Sequence, residues 1–332
     1  MKKAEIISAF DRFNDLKILV IGDVMIDSYL LGKVERISPE APVPIVSIGK
    51  KENRLGGAAN VALNIAAMGA TPVICAVTGN DFHAEIIQQL FEKEGLSTEG
   101  ILRSEKRVTT IKTRIISQHQ HMLRFDEEMT SPLSADDEKS FIEKVTAIIE
   151  NHNFSAIVFE DYNKGLLTEN VITHFIELCN KKNIPIAVDP KKENFFTYKN
   201  VTLFKPNLKE LKEGLKVDFD KKDKAALLKA DITLKEKLNN KISLITLSEM
   251  GVYFSEGKKS EIIPAHLRNI ADVSGAGDTV ISLAALCLAV GMEAEDLSIV
   301  SNLSGGLVCE KTGVVPIDKK QLLEETLKLC YN

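Results

Sequence analysis

The chain has 332 residues, of which 44% are hydrophobic and 27% are charged, as in ordinary soluble globular proteins. Its formal net charge of -5 argues against general binding to nucleic acid. Because its Lys and Arg residues are spread along the sequence, an anionic membrane surface is also not expected as a partner.

Apolar, β-branched segments alternate with helical patterns along most of the chain. The predicted strands lie at 17–22, 71–77, 156–159, 184–188, 201–204 and 242–246. The predicted helices lie at 58–68, 83–94, 135–151, 169–182, 220–238, 280–290, 297–311 and 319–329. This alternation predicts an α/β fold, with a doubly wound, mostly parallel sheet flanked by helices, in one domain over residues 1–332. Ligands bind such sheets beyond the carboxyl ends of the strands.

Two stretches interrupt the alternation, at 29–54 and 108–127. Both alternate apolar with polar residues and contain turn residues, which is typical of β-hairpins. We expect them to form a small separate sheet inserted into the main domain.

Cysteine usage and the termini indicate the compartment. Five widely separated cysteines without a CxxC pair suggest neither a disulfide framework nor a zinc site, and reduced thiols fit the cytoplasm. Asp11, Arg12 and Asp15 interrupt any apolar run at the N-terminus, so we expect no signal peptide. The most apolar stretch, 279–292, is too short to span a bilayer.

Polar residues follow the first predicted strand, where a ligand crevice is expected. Asp23 and Asp27 come just after this strand. Either acid alone is explained as a turn or cap residue, but two of them at this position favour binding of substrate hydroxyls. Gly56 and Gly57 precede a helix rich in small residues, where close packing of helix on sheet is an alternative to ligand binding.

Later strands also end in polar residues. Asp161, Asn163 and Lys164 follow the strand at 156–159, and Asp189 and Lys191 follow the strand at 184–188. All of them are expected at the same edge of the sheet as Asp23.

Asn207 and Glu210 follow the strand at 201–204. Their spacing is that of a helix N-cap and the third helical residue, which predicts a capping box. A role near a hydrated Mg²⁺ is compatible with the same spacing, because Mg²⁺ usually keeps several waters. Both interpretations stay open.

The segment DVSGAGDT at 272–279 places small residues and one carboxylate just before a helix. Gly275, Ala276 and Gly277 would let backbone N–H groups close around developing phosphate charge. Asp278 at the helix start is suited to accept a proton from an attacking hydroxyl, as phosphoryl transfer requires. Stabilisation by the helix dipole is the alternative explanation for this acid.

Several motifs of other protein classes do not occur in the sequence. It has no GxxxxGK[ST] loop and no HRD and DFG pair, which excludes a P-loop and the protein kinase pattern. It has no GxGxxG after the first strand and no HExxH, which argues against a dinucleotide fold and a zinc protease site.

The segments GGAANVALNIAAMG, NLKE and DVSGAGDT resemble the signatures of the ribokinase family of carbohydrate kinases, also called the phosphofructokinase-B family. Their order and spacing hold over essentially the whole chain. Within this family, ERISPEAPVPIV, EDYNKG, DPK, KPNLKE and LSEMG are most similar to the members that phosphorylate D-glycero-β-D-manno-heptose 7-phosphate for ADP-heptose and lipopolysaccharide. The resemblance covers the kinase part of those members and not the C-terminal nucleotidyltransferase of the bifunctional ones.

The resemblance implies an ATP- and Mg²⁺-dependent kinase that phosphorylates O1 of this sugar phosphate. It makes Asp278 the catalytic base. The backbone donors that it assigns to the anion hole are Gly275, Ala276 and Gly277. The residues that it places near Mg²⁺ and the ATP phosphates are Asn207 and Glu210, and those that border the nucleotide are Ser248, Gly251 and Asn302.

The predicted sugar site joins residues assigned by the resemblance to acids at the strand ends. Its members are Asp23, Asp27, Gly56, Gly57, Asn60, Asp161 and Asp189. The candidates for contact with the 7-phosphate are Asn163, Lys164, Lys191, Arg114 and Arg124, with Lys164 as the first choice. The hairpins at 29–54 and 108–127 would form a lid that excludes water, and such lids often pair in this family, so we expect a homodimer.

Some residues depart from the family's usual pattern. Glu160 and Asn163 stand in EDYNKG where SDYAKG is commoner, and Leu247 stands where Arg is usual. Two alternatives therefore remain: a kinase of the same family for another sugar, sugar phosphate or nucleoside, and a catalytically silent binding protein. The intact Asp278, Asn207 and Glu210 argue against the silent protein.

Overall fold

The computed structural model describes residues 2–118, 120–266 and 268–331. The strands are β1 (Lys17–Gly22), β2 (Val24–Ile37), β3 (Pro44–Gly57), β4 (Thr71–Gly79), β5 (Ser97–Ser104), β6 (Ile111–Ser117), β7 (Gln120–Glu127), β8 (Ala156–Glu160), β9 (Ile186–Asp189), β10 (Leu203–Phe204), β11 (Ile242–Thr246), β12 (Val252–Glu256) and β13 (Lys259–Ile263). The helices are α1 (Lys3–Arg12), α2 (Ala58–Ala67), α3 (Phe82–Lys93), α4 (Ala135–Asn151), α5 (Glu169–Lys181), α6 (Leu208–Leu215), α7 (Lys224–Leu238), α8 (Ala276–Ala289), α9 (Ala294–Val308) and α10 (Lys319–Tyr331).

The larger of two sheets has the strand order β13-β12-β11-β10-β9-β8-β1-β4-β5. Seven neighbouring strands pair in parallel, in the order β11, β10, β9, β8, β1, β4 and β5. The hairpin of β12 and β13 adds two antiparallel strands next to β11, at one edge of the sheet. The strands at the centre are apolar because helices cover both faces, which leaves them almost without exposed surface. The predicted doubly wound α/β fold is therefore confirmed.

The smaller sheet has the order β3-β2-β6-β7. β2 and β3 form one antiparallel hairpin, β6 and β7 form another, and β2 pairs with β6 in parallel. These strands contain most of the two stretches that interrupt the alternation, so the prediction of a small separate sheet is confirmed. β2 begins at Val24, only two residues after β1 ends.

The helix that carries the DVSGAGDT segment is the most buried one near the crevice. α8 contacts α2, α9, β8 and β9. Every residue from Asp278 to Cys287 is buried, which explains why the residues after Ser282 are apolar on every face of the helix. Among the described residues, no helix combines the length and the apolar character needed to cross a membrane.

The boundaries of several elements differ from those predicted. The strand predicted at 184–188 begins at Ile186, because Pro185 has no N–H to donate to the ladder. The helix predicted at 220–238 begins at Lys224, because the Asp223 side chain caps it by accepting the Ala226 N–H. The helix predicted at 280–290 begins four residues earlier, at Ala276. Sequence reasoning did not find α1, β5 or the hairpin of β12 and β13.

The cysteines with described side chains are Cys75, Cys179, Cys287 and Cys309, and all four are free and buried. Burial raises the pKa of the Cys179 thiol to about 12, so it stays protonated at neutral pH. The side chain of Cys330 lies outside the described part of the chain.

Candidate active site

The carboxyl ends of β1, β8 and β9 meet the N-terminus of α8 at one edge of the large sheet. Asp23 follows β1 directly, and Glu160 and Asp189 are the last residues of β8 and β9. Gly275 precedes α8 with a left-handed backbone, at φ 79°. This turn places Asp278 in the first turn of α8, where its carboxylate lies beside those of Glu160 and Asp189.

Asp278 is buried, with 5% of its surface exposed. Its two oxygens accept hydrogen bonds from different parts of the fold, one from Asn60 Nδ2 at 2.7 Å and one from the Tyr162 hydroxyl at 2.8 Å. Burial raises the pKa of Asp278 to about 6, although both hydrogen bonds offset part of the rise. A carboxylate that is ionised at pH 7 but more basic than usual suits a general base.

The residues just before Asp278, from Gly275 to Gly277, have little or no side chain and leave their backbone accessible at the start of α8. The N–H groups in the first turn of a helix have no partner within the helix and carry partial positive charge, so they can bind an anion. A Cβ atom on Gly275 would lie 2.9 Å from the Asn60 amide nitrogen. The position therefore needs glycine both for its positive φ and for space. A Cβ on Gly277 would lie 3.7 Å from an Asp189 oxygen and 3.8 Å from Lys205 Nζ, so charged side chains border this turn.

Lysines and acids form a buried network at the ends of β9 and β10. Lys205 Nζ lies 2.7 Å from Asp189 Oδ2, and Lys191 Nζ lies 2.8 Å from Glu210 Oε1. Burial alone would lower the pKa of Lys191, but the neighbouring carboxylates of Asp189 and Glu210 raise it overall. Asn207 and Glu210 form the predicted capping box, with both hydrogen bonds at 2.8 Å. The capping interpretation is thus confirmed, and the role near Mg²⁺ stays a prediction.

Asp23 follows β1 at the same edge of the large sheet. It accepts hydrogen bonds from the backbone N–H groups of Tyr162 at 3.0 Å and Lys164 at 3.1 Å. Burial and the nearby Asp161 charge raise the pKa of Asp23 to about 6. Gly57 has φ 61°, and a Cβ there would overlap with the Asp23 carbonyl oxygen. The chain can therefore pass close to Asp23 only because residue 57 is glycine. This close packing, rather than ligand binding, explains Gly57.

Asp27 is paired with a residue of the small sheet. Arg114 Nη1 donates to Asp27 Oδ1 at 2.6 Å, and both side chains are largely buried. A Cβ on Gly56 would overlap with Asp27 Oδ2, so packing also explains Gly56. Arg124 binds Asp126 at 2.7 Å on the exposed strand β7, and it has no contact with the Asp278 cluster among the described residues.

The loop after β8 is held by Asp161. Its carboxylate accepts hydrogen bonds from the Asn163 backbone at 2.8 Å and from the Tyr198 hydroxyl at 2.8 Å, as well as from Asn194. Asp161 has no exposed surface, so these bonds fix the loop rather than offer a free ligand. Lys164 Nζ lies 2.8 Å from Glu128, which links the loop to the chain that follows β7.

The predicted nucleotide residues lie apart from this cluster. Ser248 lines a surface cavity of about 530 Å³ beside α6, together with Leu208, Lys212 and Val217. Gly251 turns the chain into β12 at φ 92°, where a Cβ would overlap with backbone. The Asn302 amide donates to the Pro264 carbonyl at 2.9 Å. The cavity and the Asp278 cluster are connected through α6, whose N-terminus carries Glu210.

Sequence reasoning missed two side chains of the cluster. Tyr162 donates to Asp278, and Lys205 neutralises Asp189. Both follow strands that the sequence predicts, Tyr162 within EDYNKG and Lys205 within FKPN. Their position at strand ends was the available signal.

A model of the pfkB family carbohydrate kinases matches residues 15–320. The chain is 36% identical over 324 residues to the bifunctional protein HldE of Pelobacter propionicus, and 38% identical over 297 residues to that of Helicobacter pylori strain G27. It is 39% identical over 308 residues to that of Methylobacillus flagellatus. These alignments cover 97%, 90% and 93% of this chain. The chain spans 66%, 63% and 62% of the lengths of these relatives, which is less than two thirds of each.

Solved structures are similar over nearly the whole chain. Phosphofructokinase-2 from Escherichia coli, in complex with potassium, has a TM-score of 0.78 at 18% identity, covering 95% of this chain and 99% of that one. Ribokinase from Arabidopsis thaliana, complexed with ribose and ATP, has a TM-score of 0.71 at 15% identity, covering 93% and 99%. At these identities the similarity shows the fold, which is ribokinase-like.

We predict that activity is lost in acid as Asp278 becomes protonated. Because the pKa of Asp278 is raised to about 6, the base is ionised above that pH and becomes neutral below it. The value of kcat/KM should therefore fall by about tenfold per pH unit below about pH 6. Initial rates of ADP release between pH 5 and 8 measure this.

The variant Asp278→Asn is the control for this pH profile. It nearly preserves shape and removes the base, so kcat should fall by about 10²–10⁴-fold while ATP still binds. A wild-type profile that stays flat down to pH 5, or a variant with nearly normal turnover, would show that Asp278 is not the base.

A second prediction separates capping from metal binding at Glu210. In Glu210→Gln the amide oxygen can still accept the Asn207 N–H, so the cap is largely kept and the negative charge is lost. We expect the Mg²⁺ concentration for half-maximal activity to rise several-fold, and Tm to fall because Lys191 loses the carboxylate of Glu210. Thermal melts and Mg²⁺ titrations of this variant and of the exposed control Glu177→Gln test it. Unchanged Mg²⁺ dependence would leave capping and the ion pair with Lys191 as the only roles of Glu210.

Proposed function

The chain belongs to the pfkB family of carbohydrate kinases, and on this premise we propose that it phosphorylates O1 of D-glycero-D-manno-heptose 7-phosphate to give the 1,7-bisphosphate. That it is an ATP-dependent carbohydrate kinase follows from the family and from its ribokinase-like fold. The heptose substrate is the finer proposal. It is supported by the motifs that resemble heptose 7-phosphate kinases and by the HldE relatives at 36–39% identity.

The observation that carries the proposed chemistry is the environment of Asp278. A buried carboxylate with a pKa near 6 lies in the first turn of a helix whose N–H groups face the same crevice. Asp278 would take the proton of the anomeric hydroxyl while O1 forms a bond to the γ-phosphorus and the bond to ADP breaks. The N–H groups of the anion hole would stabilise the charge that develops on the phosphoryl oxygens.

The residues near Glu210 fit a hydrated Mg²⁺. Both Glu210 oxygens already accept hydrogen bonds, from Asn207 N–H and from Lys191, so direct ligation would break existing contacts. Contact through water keeps them, and Mg²⁺ usually retains several waters. When bound with ATP, the ion would neutralise phosphate charge. Lys191 would hold Glu210 in place for this.

The distal phosphate of the sugar needs positive charge away from Asp278. Each candidate cation already has an acidic partner, as Lys164 has Glu128 and Arg114 has Asp27. Arg54, which sequence reasoning did not select, lies with Arg114 against the ring of Tyr29, at 5.1 and 5.4 Å from its centre. Two guanidinium groups on one ring suit a phosphate, because charge-assisted contacts from arginine are strong.

We expect a panel of sugars to identify the substrate. Coupled ADP release should be fastest with the heptose 7-phosphate and at least about tenfold slower, in kcat/KM, with the same heptose without phosphate, since one lost charge-assisted contact costs about 1.5 kcal/mol or more. Hexose and pentose phosphates, free sugars and nucleosides complete the panel. A preference for an unphosphorylated sugar or a nucleoside would refute the heptose proposal and leave the family intact. Binding of ATP without turnover of any member would favour a silent regulator.

We also propose a homodimer joined through the small sheets. β3 and β7 are edge strands of this sheet, and exposed edges need covering. Exposed apolar side chains lie on the same sheet, among them Leu123, which is 57% exposed, and Phe125, which is 41% exposed. A partner's sheet would cover both the edge and the apolar surface.

Light scattering tests the dimer. The wild type should give twice 36.7 kDa at micromolar concentration, and Leu123→Lys should shift it toward the monomer. The control Ile232→Lys changes a similarly exposed apolar residue on α7, 51% exposed, and should leave the mass unchanged. A monomeric wild type would contradict the proposal.

A further inference from the structure

Glu160 is the most unusual charged residue of the crevice. It ends β8, has no exposed surface, and neither of its carboxylate oxygens has a hydrogen-bond donor among the described residues. A buried carboxylate without a partner is costly in free energy, so such a group either keeps a proton or binds a cation. The position belongs to the motif in which this chain departs from its family's usual serine.

The surroundings of Glu160 are acidic. One oxygen each from Glu160, Asp189 and Asp278 lies within 4.8 Å of the others, and all three residues are buried. The carboxylate of Glu210 lies nearby, and Lys191 and Lys205 neutralise two of these four charges. When all the carboxylates are ionised, an excess of two negative charges remains.

We propose that Glu160 and Asp189 bind a divalent cation of the Mg²⁺ or Mn²⁺ type beside Asp278, at a site separate from the ion expected with ATP at Glu210. Carboxylate oxygens are the ligands that these hard cations prefer. Adjacent ligand oxygens of Mg²⁺ lie about 3.0 Å apart and opposite ones about 4.2 Å apart, because each bond is about 2.1 Å long. The oxygens of Glu160 and Asp189, which lie within 4.8 Å of each other, would close to one of these spacings when the ion binds.

The two oxygens of Asp189 allow this ion without breaking the network. Asp189 Oδ2 binds Lys205 at 2.7 Å, whereas Oδ1 has only a longer ion pair with Lys191 at 3.8 Å, which a metal could replace. The cation would balance the two excess charges. It would also lie next to Gly277, where the transferred phosphoryl group is expected.

Manganese binding to the full chain without nucleotide or sugar tests the proposal. Electron paramagnetic resonance of free Mn²⁺ should show one ion bound per wild-type chain. Glu160→Gln should weaken this binding by at least about tenfold, as expected for loss of a ligand. Glu210→Gln should weaken binding much less than Glu160→Gln, because Glu210 contributes charge but no ligand atom, and the exposed control Glu261→Gln, on β13, should bind Mn²⁺ as the wild type does.

This experiment tests the metal site independently of the proposed kinase activity, because it contains neither ATP nor sugar. A wild type that binds no Mn²⁺ without nucleotide would overturn the site and indicate that Glu160 keeps a proton. Equal Mn²⁺ affinity in Glu160→Gln and wild type would overturn it too. If Glu160→Gln fails to fold, Glu160→Ser, which restores the family's usual residue, takes its place. Loss of binding in Glu210→Gln alone would place the ion at Glu210 instead.

Discussion

The hydrogen bonds that Asn60 and Tyr162 donate to Asp278 hold the crevice together. They connect α2, the loop after β8 and the first turn of α8, which are far apart in the sequence. The contact between α2 and α8 continues deeper, where the Thr279 hydroxyl donates to Asn64 and the Ser282 hydroxyl donates to the Val61 carbonyl. Because an unsatisfied buried polar group costs about 1–3 kcal/mol, these bonds fix the two helices in one register. Asp278 is thereby positioned by the packed core and not by a mobile loop.

Burial raises the basicity of the carboxylates that line the crevice. Asp23 and Asp278 both have pKa values raised to about 6, and Tyr162 connects them by donating its backbone N–H to Asp23 and its hydroxyl to Asp278. Lys191 and Lys205 are buried beside them and stay charged because Asp189 and Glu210 outweigh the effect of burial. Opposite charges that are buried together interact strongly. They need little rearrangement when a phosphate group binds beside them.

The fold could be predicted further than the site. The helix at 135–151 was predicted with its correct ends, since Ser134 caps it and acids fill its first turn. The hairpin of β12 and β13 was missed because its segments are only five residues each and lack a regular apolar alternation. Strand ends led to the selection of Asp23 and Asp189, and the small residues before a helix led to Asp278, all of which the structure places at one edge of the large sheet. The partners of Arg114 and Lys164 could not be predicted, because ion pairs between distant segments leave no pattern in a single sequence.

β2 belongs to both the crevice and the small sheet. It has 14 residues, so it extends for about 46 Å at about 3.3 Å per residue, starting one residue after Asp23. Backbone hydrogen bonds to β3 and β6 hold this strand on both sides, and its register with β3 shifts at Leu31/Gly32 and at Val34/Arg36. The crevice and the small sheet are therefore joined by one hydrogen-bonded strand, so a change of residues in the sheet near Asp27 acts directly on the chain that leads from Asp23.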